Sequence, residues 1–141
     1  MRPGRLAVIF LVMAPQSQLI AKPPVIVVVD DDVAVCNSLK FSLELEGFTV
    51  RTFRSGAELL RAGNFCDCDC FVVDQRMPGM SGMDLIARLR EHKVKTPAIL
   101  IISLPSDALS VRAATVAVPI VEKPFLSNAL IDRIREACQQ A

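Results

Sequence analysis

Three polar groupings in this chain stand where chemistry could be done, and each ends an apolar run. Phe71-Val72-Val73 delivers a single carboxylate, Asp74, followed by Gln75-Arg76-Met77-Pro78-Gly79-Met80-Ser81-Gly82. Val25–Val29 delivers the acidic run Asp30-Asp31-Asp32, and Pro119–Val121 runs through Glu122 into Lys123. The apolar runs are too short for ordinary helices and rich in β-branched residues, so they read as strands. A turn signal directly after each one places the polar residues at the carboxyl ends of strands, where open α/β sheets keep their ligand sites.

Were those ends to converge, the acids would repel, by about 4 kcal/mol for two charges 4 Å apart at a protein surface. Such a cluster survives by holding a hard divalent cation through oxygen, and one or two carboxylates with waters and phosphate oxygens is how Mg²⁺ is usually bound. A carboxylate beside such an ion and an ammonium is placed to take a phosphoryl group. Asp74 would attack phosphorus while Lys123 and the ion neutralise its oxygens.

The remainder of the chain supplies the elements needed to position these groups. From Val25 onward the pattern of apolar run, polar end and helical stretch occurs five times. Helical spacing covers Val33 to Leu45, with Gly47 as its C-terminal cap, and Thr49–Phe53 alternates as a strand near the sheet edge. Ser55-Gly56-Ala57-Glu58 has the spacing of a capping box. Ser81 caps the next helix, which buries Leu85, Ile86 and Leu89 and turns Arg88, Arg90 and Glu91 to water. Ala98–Ile102 is a strand buried on both faces, a helix spans Ala108 to Thr115, and Ile120-Val121 is an edge strand because Pro119 cannot donate to a ladder. A last helix runs from Ser127 to Cys138. Five such units require right-handed crossovers and an open, doubly wound parallel sheet with helices on both faces.

Composition narrows the function classes. The 141 residues carry 16 basic and 15 acidic side chains, a net charge of +1, so no global field recruits nucleic acid or membrane. Trp and Tyr are absent, which disfavours a base-stacking surface. Cys66-Asp67-Cys68-Asp69-Cys70 lacks the second ligand pair that a zinc site needs, and His92 is the sole histidine. Cys68 and Cys70 read instead as small buried hydrophobes. Residues 1–24 form an N-terminal extension. Leu6–Ala14 has the length of a signal-peptide core but lacks a good cleavage context, so the extension is read as disordered or loosely packed, with a signal peptide and a mis-assigned start (translation beginning at Met13) as the alternatives.

The order of these signatures resembles the response-regulator receiver domain of two-component signalling, over about Val25 to Ala137. The resemblance rests on Val27-Val28-Val29-Asp30-Asp31, on Asp74 with Arg76-Met77-Pro78-Gly79-Met80-Ser81-Gly82, and on Glu122-Lys123-Pro124-Phe125. It implies a flavodoxin-like α/β fold with five parallel strands ordered 2-1-3-4-5. It implies that Asp74 takes a phosphoryl group from a histidine kinase, a hybrid kinase or a phosphotransfer protein and signals to a downstream protein. Asp30 and Asp31 would hold Mg²⁺ with Asp74 and the backbone carbonyl of Arg76, Lys123 would pair with the phosphoryl group, and the Lys123–Pro124 bond would be cis. Asp32 falls one place beyond the acidic pair and reads as a helix cap. A cytoplasmic location, no direct nucleic-acid or membrane contact and no output domain after Ala141 complete the expectation, with at most slow autodephosphorylation rather than enzyme turnover.

Three positions depart from the family. Ile102 stands where a Thr or Ser ends the fourth strand, leaving Ser103, one residue later, as the candidate phosphoryl hydroxyl. Ile120 replaces the switch aromatic, and Val116 or Ala117 replaces a frequent glycine. These changes motivate a second reading, a receiver-like module that binds partners without phosphorylation. A third takes Asp30-Asp31-Asp32-Val33, Ser103 and Lys123 as a phosphatase of the haloacid dehalogenase type with Asp30 as nucleophile.

Overall fold

The computed structural model describes residues 22–63, 65, 67–123 and 128–139. Ten elements alternate along it. They are β1 (Val25–Val29), α1 (Val33–Leu45), β2 (Thr49–Phe53), α2 (Gly56–Ala62), β3 (Cys70–Asp74), α3 (Gly82–Glu91), β4 (Ala98–Ile102), α4 (Asp107–Thr115), β5 (Ile120–Glu122) and α5 (Ala129–Gln139). All four strand pairings are parallel, in the order β2-β1-β3-β4-β5. That is the doubly wound sheet expected from the repeating pattern.

The central strands are apolar throughout because both faces are covered. Val27, Val29, Phe71, Val73, Leu100 and Ile102 face one layer, where Leu59, Leu85, Ile86 and Leu89 from α2 and α3 meet them. Ile26, Val28, Val72, Ile99 and Ile101 face the other, against Cys36, Leu39 and Leu43 of α1 and Leu130 and Ile134 of α5. Alternate residues of one strand thus serve two cores, which is why no polar residue interrupts them before the strand ends.

The helix ends obey local chemistry. Asp32 caps α1, its Oδ1 accepting from the Ala34 and Val35 amides at 2.9 and 3.3 Å. At the other end Gly47 takes φ +97°, and the Gly47 and Phe48 amides return to the Glu44 and Leu43 carbonyls. This is a Schellman closure, for which glycine is preferred. Ser55 accepts from the Glu58 amide, and the Glu58 carboxylate returns to the Arg54 amide rather than to that of Ser55.

Four expectations need correction or lie outside the described residues. Strand β3 extends through Asp74 instead of ending at Val73, so the carboxylate belongs to the ladder opposite Ile101. Helix α4 starts at Asp107 because Ser106 caps it. Arg90 does not simply face water: its Nη1 donates to the Val94 and Thr96 carbonyls, both at 2.8 Å, and clamps the turn that leads into β4. The extension as far as residue 21, Cys66, and Pro124 with its peptide bond to Lys123 lie outside the described residues. Cys68 and Cys70 are buried as expected, and burial pushes the Cys68 thiol up to about 12, which makes it inert near neutral pH.

Candidate functional site

Each acid arrives at the site by the simplest route, as the residue on which an apolar strand ends. Parallel pairing aligns those ends at one edge of the sheet, where open α/β sheets leave a crevice. Asp30 follows β1 directly, its amide donating to the Phe53 carbonyl at 3.0 Å. Asp74 ends the adjacent β3, and Lys123 follows β5, its amide donating to the Ile102 carbonyl at 2.8 Å. A lysine 93 positions from Asp30 thereby reaches it, with Nζ 3.3 Å from Asp30 Oδ2 and 3.4 Å from Asp74 Oδ1.

Asp30, Asp31 and Asp74 each offer a carboxylate oxygen, and these oxygens lie within 4.8 Å of one another. Asp30 and Asp74 are 1% and 5% exposed, whereas Asp31 is open to solvent. Like charges gathered at such range must be reflected in proton affinity. Burial first, and then the Asp30 carboxylate, push Asp74 up to about 6 against the opposing pull of Lys123. Burial on its own would lower Lys123, but the Asp74 and Asp30 carboxylates outweigh it and leave the ammonium more firmly charged. The set is all oxygen, partly open and over-supplied with negative charge, which fits a hard divalent cation such as Mg²⁺.

The loop after Asp74 is held by contacts that the sequence did not single out. The Gln75 amide donates to the Ile101 carbonyl at 2.9 Å, its carbonyl accepts from Gly82 at 3.0 Å, and its side-chain Oε1 accepts from the Met83 amide at 2.9 Å. Gln75 therefore closes Arg76–Ser81 into a compact arch, with Met77 buried beneath it. Glycine is required at position 82, where a Cβ would lie 2.6 Å from the Asp74 carbonyl oxygen. Cys36 adds a second brace, its Sγ donating to the Asp30 carbonyl at 3.2 Å. A glutamine beside a site residue and a cysteine in a helix carry no marker in sequence, so neither stood out.

The departures also have definite places. Ile102 is 3% exposed and packs into the α3-side core, while Ser103 is exposed, one residue past the end of β4. A hydroxyl at the strand terminus itself is thus absent, and Ser103 has no hydrogen bond among the described residues. Ala117 takes φ +57°, the left-handed conformation that glycine adopts without cost, in agreement with the glycine expected near there. The phosphatase reading fails on geometry. Asp32, the second acid that reading needs, is occupied in capping α1, and its amide holds an Asp30 oxygen at 2.9 Å.

Comparison with known proteins agrees with this geometry. A family profile described as the response regulator receiver domain matches residues 26–135. The transcriptional regulatory protein FixJ of Bradyrhizobium diazoefficiens is 35% identical over 117 residues, covering 82% of this chain and 57% of that protein. The C4-dicarboxylate transport transcriptional regulatory protein DctR of Rhodobacter capsulatus is 35% identical over 108 residues, covering 74% of this chain and 55% of that protein. The chain spans about half the length of these curated relatives. Among solved structures, FixJ-N superposes with a TM-score of 0.75 at 31% identity, over 84% of this chain and 95% of that one. The receiver domain of the Francisella response regulator 1452 gives 0.76 at 27% identity, over 83% of this chain and 98% of that one. Sheet order, acidic crevice and sequence similarity agree, and the chain belongs to the receiver-domain family of two-component response regulators.

Proposed function

We propose that this receiver takes a phosphoryl group onto Asp74 in a Mg²⁺-dependent reaction, with a histidine kinase, a hybrid kinase or a phosphotransfer protein as donor. The observation that carries the reading is the meeting of three carboxylates within 4.8 Å with Lys123 Nζ at 3.3 and 3.4 Å from two of them. Asp30, Asp31, Asp74 and the backbone carbonyl of Arg76 are the residues that would hold the ion. When bound, it supplies charge neutralisation for phosphoryl oxygens. Asp74 Oδ attacks phosphorus, an O–P bond forms as the donor's P–N bond breaks, and the histidine nitrogen keeps the electron pair and takes up a proton. Lys123 leaves its carboxylate partners to meet the incoming oxygens. Ser103 is the hydroxyl nearest to this role in sequence, but the apolar end of β4 favours a lesser part for it. Hydrolysis of the product requires a positioned water, and slow self-dephosphorylation is the turnover expected.

Signalling is then proposed to run through a downstream protein. The described helices carry no basic recognition face, since Arg133 and Arg135 of α5 stand beside Asp132 and Glu136. Helix α1 leaves Phe41 and Leu45 exposed four residues apart, an apolar pair available to a protein partner. No described helix is long and apolar enough to cross a membrane. A cytoplasmic site of action follows from the donor, whose phosphoryl group derives from ATP. The functional unit is proposed to begin at Val25, with residues 1–24 as an extension outside it.

The test is incubation with Mg²⁺ and acetyl phosphate or phosphoramidate, followed by mapping of the modified residue. One label per chain on Asp74, absent in Asp74→Asn, supports the reading. A second reading, a module that binds partners without phosphorylation, is favoured by Ile102 and Ile120 standing in place of the hydroxyl and the aromatic. Partner binding and signalling unchanged in Asp74→Asn would establish it.

A further inference from the structure

Phosphorylation leaves this crevice one positive charge short, and Arg76 is placed to supply it. Three carboxylates are balanced by Lys123 together with a divalent ion. A phosphoryl group on Asp74 replaces one negative charge by about two, so one negative charge is left over. The strand end that would offer a hydroxyl is the buried, apolar Ile102. Its backbone nonetheless lies at the centre of the site, between Asp74, whose ladder partner is Ile101, and Lys123, whose amide bonds the Ile102 carbonyl at 2.8 Å.

Next to this strand end is a cleft of about 350 Å³ whose lining includes Gln75, Arg76, Ser81, Ile102, Ser103 and Leu104. Arg76 is the cation among them. It is exposed, and no ion pair or side-chain hydrogen bond engages it among the described residues. Ser81 is engaged with Asp84, its Oγ accepting from the Asp84 amide at 3.1 Å and its hydroxyl meeting the Asp84 carboxylate. Gln75 is likewise committed, through Oε1, to Met83. Of the side chains in the cleft that can still donate to a phosphoryl oxygen, Ser103 and the Gln75 Nε2 amide are neutral, and Arg76 alone is charged.

We propose that the Arg76 guanidinium folds over the cleft and binds the phosphoryl oxygens on Asp74, taking the place of the missing strand-end hydroxyl. This rests on Asp74 being the phosphoacceptor. A guanidinium offers paired donors matched to phosphate oxygens, and charge-assisted bonds of this kind are roughly twice as strong as neutral ones. The arch closed by Gln75 fixes the Arg76 backbone while leaving its side chain loose, so one residue could serve the metal through its carbonyl and the phosphoryl group through its side chain.

Beryllofluoride with Mg²⁺, which mimics an aspartyl phosphate, is the probe, its affinity measured by calorimetry alongside the lifetime of phosphate loaded from acetyl phosphate. Arg76→Gln is expected to weaken beryllofluoride about tenfold and to shorten the phosphoryl lifetime comparably, as loss of one charged hydrogen-bonding group predicts. Arg76→Lys recovers part of the loss, and Ser103→Ala stays within about twofold, the size of a weak neutral hydrogen bond. Mg²⁺ affinity without beryllofluoride is not weakened in Arg76→Gln, because the backbone carbonyl remains and a positive charge beside the ion is removed, and this separates phosphoryl contact from a general disturbance of the loop. Beryllofluoride affinity unchanged in Arg76→Gln, or a larger loss in Ser103→Ala, overturns the proposal while leaving Asp74 as acceptor. A wild-type protein that holds neither beryllofluoride nor phosphate on Asp74 overturns both.

Discussion

Replacing Asp74 by asparagine is expected to stabilise the metal-free protein, although it removes the proposed phosphoacceptor. Asp74 is 5% exposed and faces the Asp30 and Asp31 carboxylates, with Lys123 at 3.4 Å as partial compensation. Burial and the Asp30 carboxylate prevail, and the Asp74 carboxyl rises from 3.8 to about 6. A carboxyl that holds its proton more tightly when folded costs stability as soon as pH exceeds its unfolded value. The cost therefore grows between about pH 4 and pH 6 and levels off above that. At 1.36 kcal/mol per unit it reaches about 3 kcal/mol. Asparagine keeps the shape and can still accept from Lys123, but carries no charge.

The variant should thus exceed the wild type by about 3 kcal/mol at pH 8, or roughly 10 °C in Tm for a domain of this size, and match it near pH 4. Saturating Mg²⁺ should shrink or reverse the difference, since the ion relieves the repulsion in the wild type alone. With no Trp or Tyr in the chain, far-UV circular dichroism with urea is the appropriate assay. A variant less stable than the wild type at pH 8 without Mg²⁺ would refute the account of the acidic cluster, as would a gain that is the same at pH 4 and pH 8.

Mg²⁺ at 100 times its dissociation constant should raise unfolding free energy by about 2.7 kcal/mol, and most of that gain should vanish in Asp31→Ala, as urea unfolding with and without the ion will show. Gly82→Ala places a Cβ 2.6 Å from the Asp74 carbonyl oxygen and 2.8 Å from Leu100 Cδ1. Overpacking against backbone costs about 1–3 kcal/mol, and because the displaced atom belongs to the proposed acceptor Asp74, phosphoryl uptake from acetyl phosphate should fall with it; a neutral substitution would contradict the close packing there. Ala117→Gly should raise stability by about 1 kcal/mol by relieving a side chain held at φ +57°, read as a higher thermal midpoint.

Much of this molecule is local in origin and could therefore be read from short stretches. Val25–Val29 and Ala98–Ile102 announce two-sided burial by composition, since a parallel strand between helical layers tolerates no polar residue. Asp32, Ser55, Ser81 and Gly47 announce helix ends because capping is decided within three or four residues. Asp30, Asp31, Asp74 and Lys123 each stand out by ending an apolar run. The five-unit pattern then puts such ends on one edge of the sheet.

What residue order could not carry are interactions whose two halves are far apart or chemically anonymous. Arg90 reads as a surface charge in a helix, and only the path of the chain from Val94 to Thr96 brings two carbonyls within its reach. Gln75 becomes the clasp of the loop because α3 begins, in space, beside its amide. The 3.3 Å approach of Lys123 to Asp30 spans 93 positions, and with it comes the elevated proton affinity of Asp74. Sequence determines which groups are available and which strand ends they occupy. Burial and separation, and hence the energy of bringing three acids together, exist only once the sheet has aligned those ends, because electrostatic energy depends on distance and dielectric rather than on order along the chain.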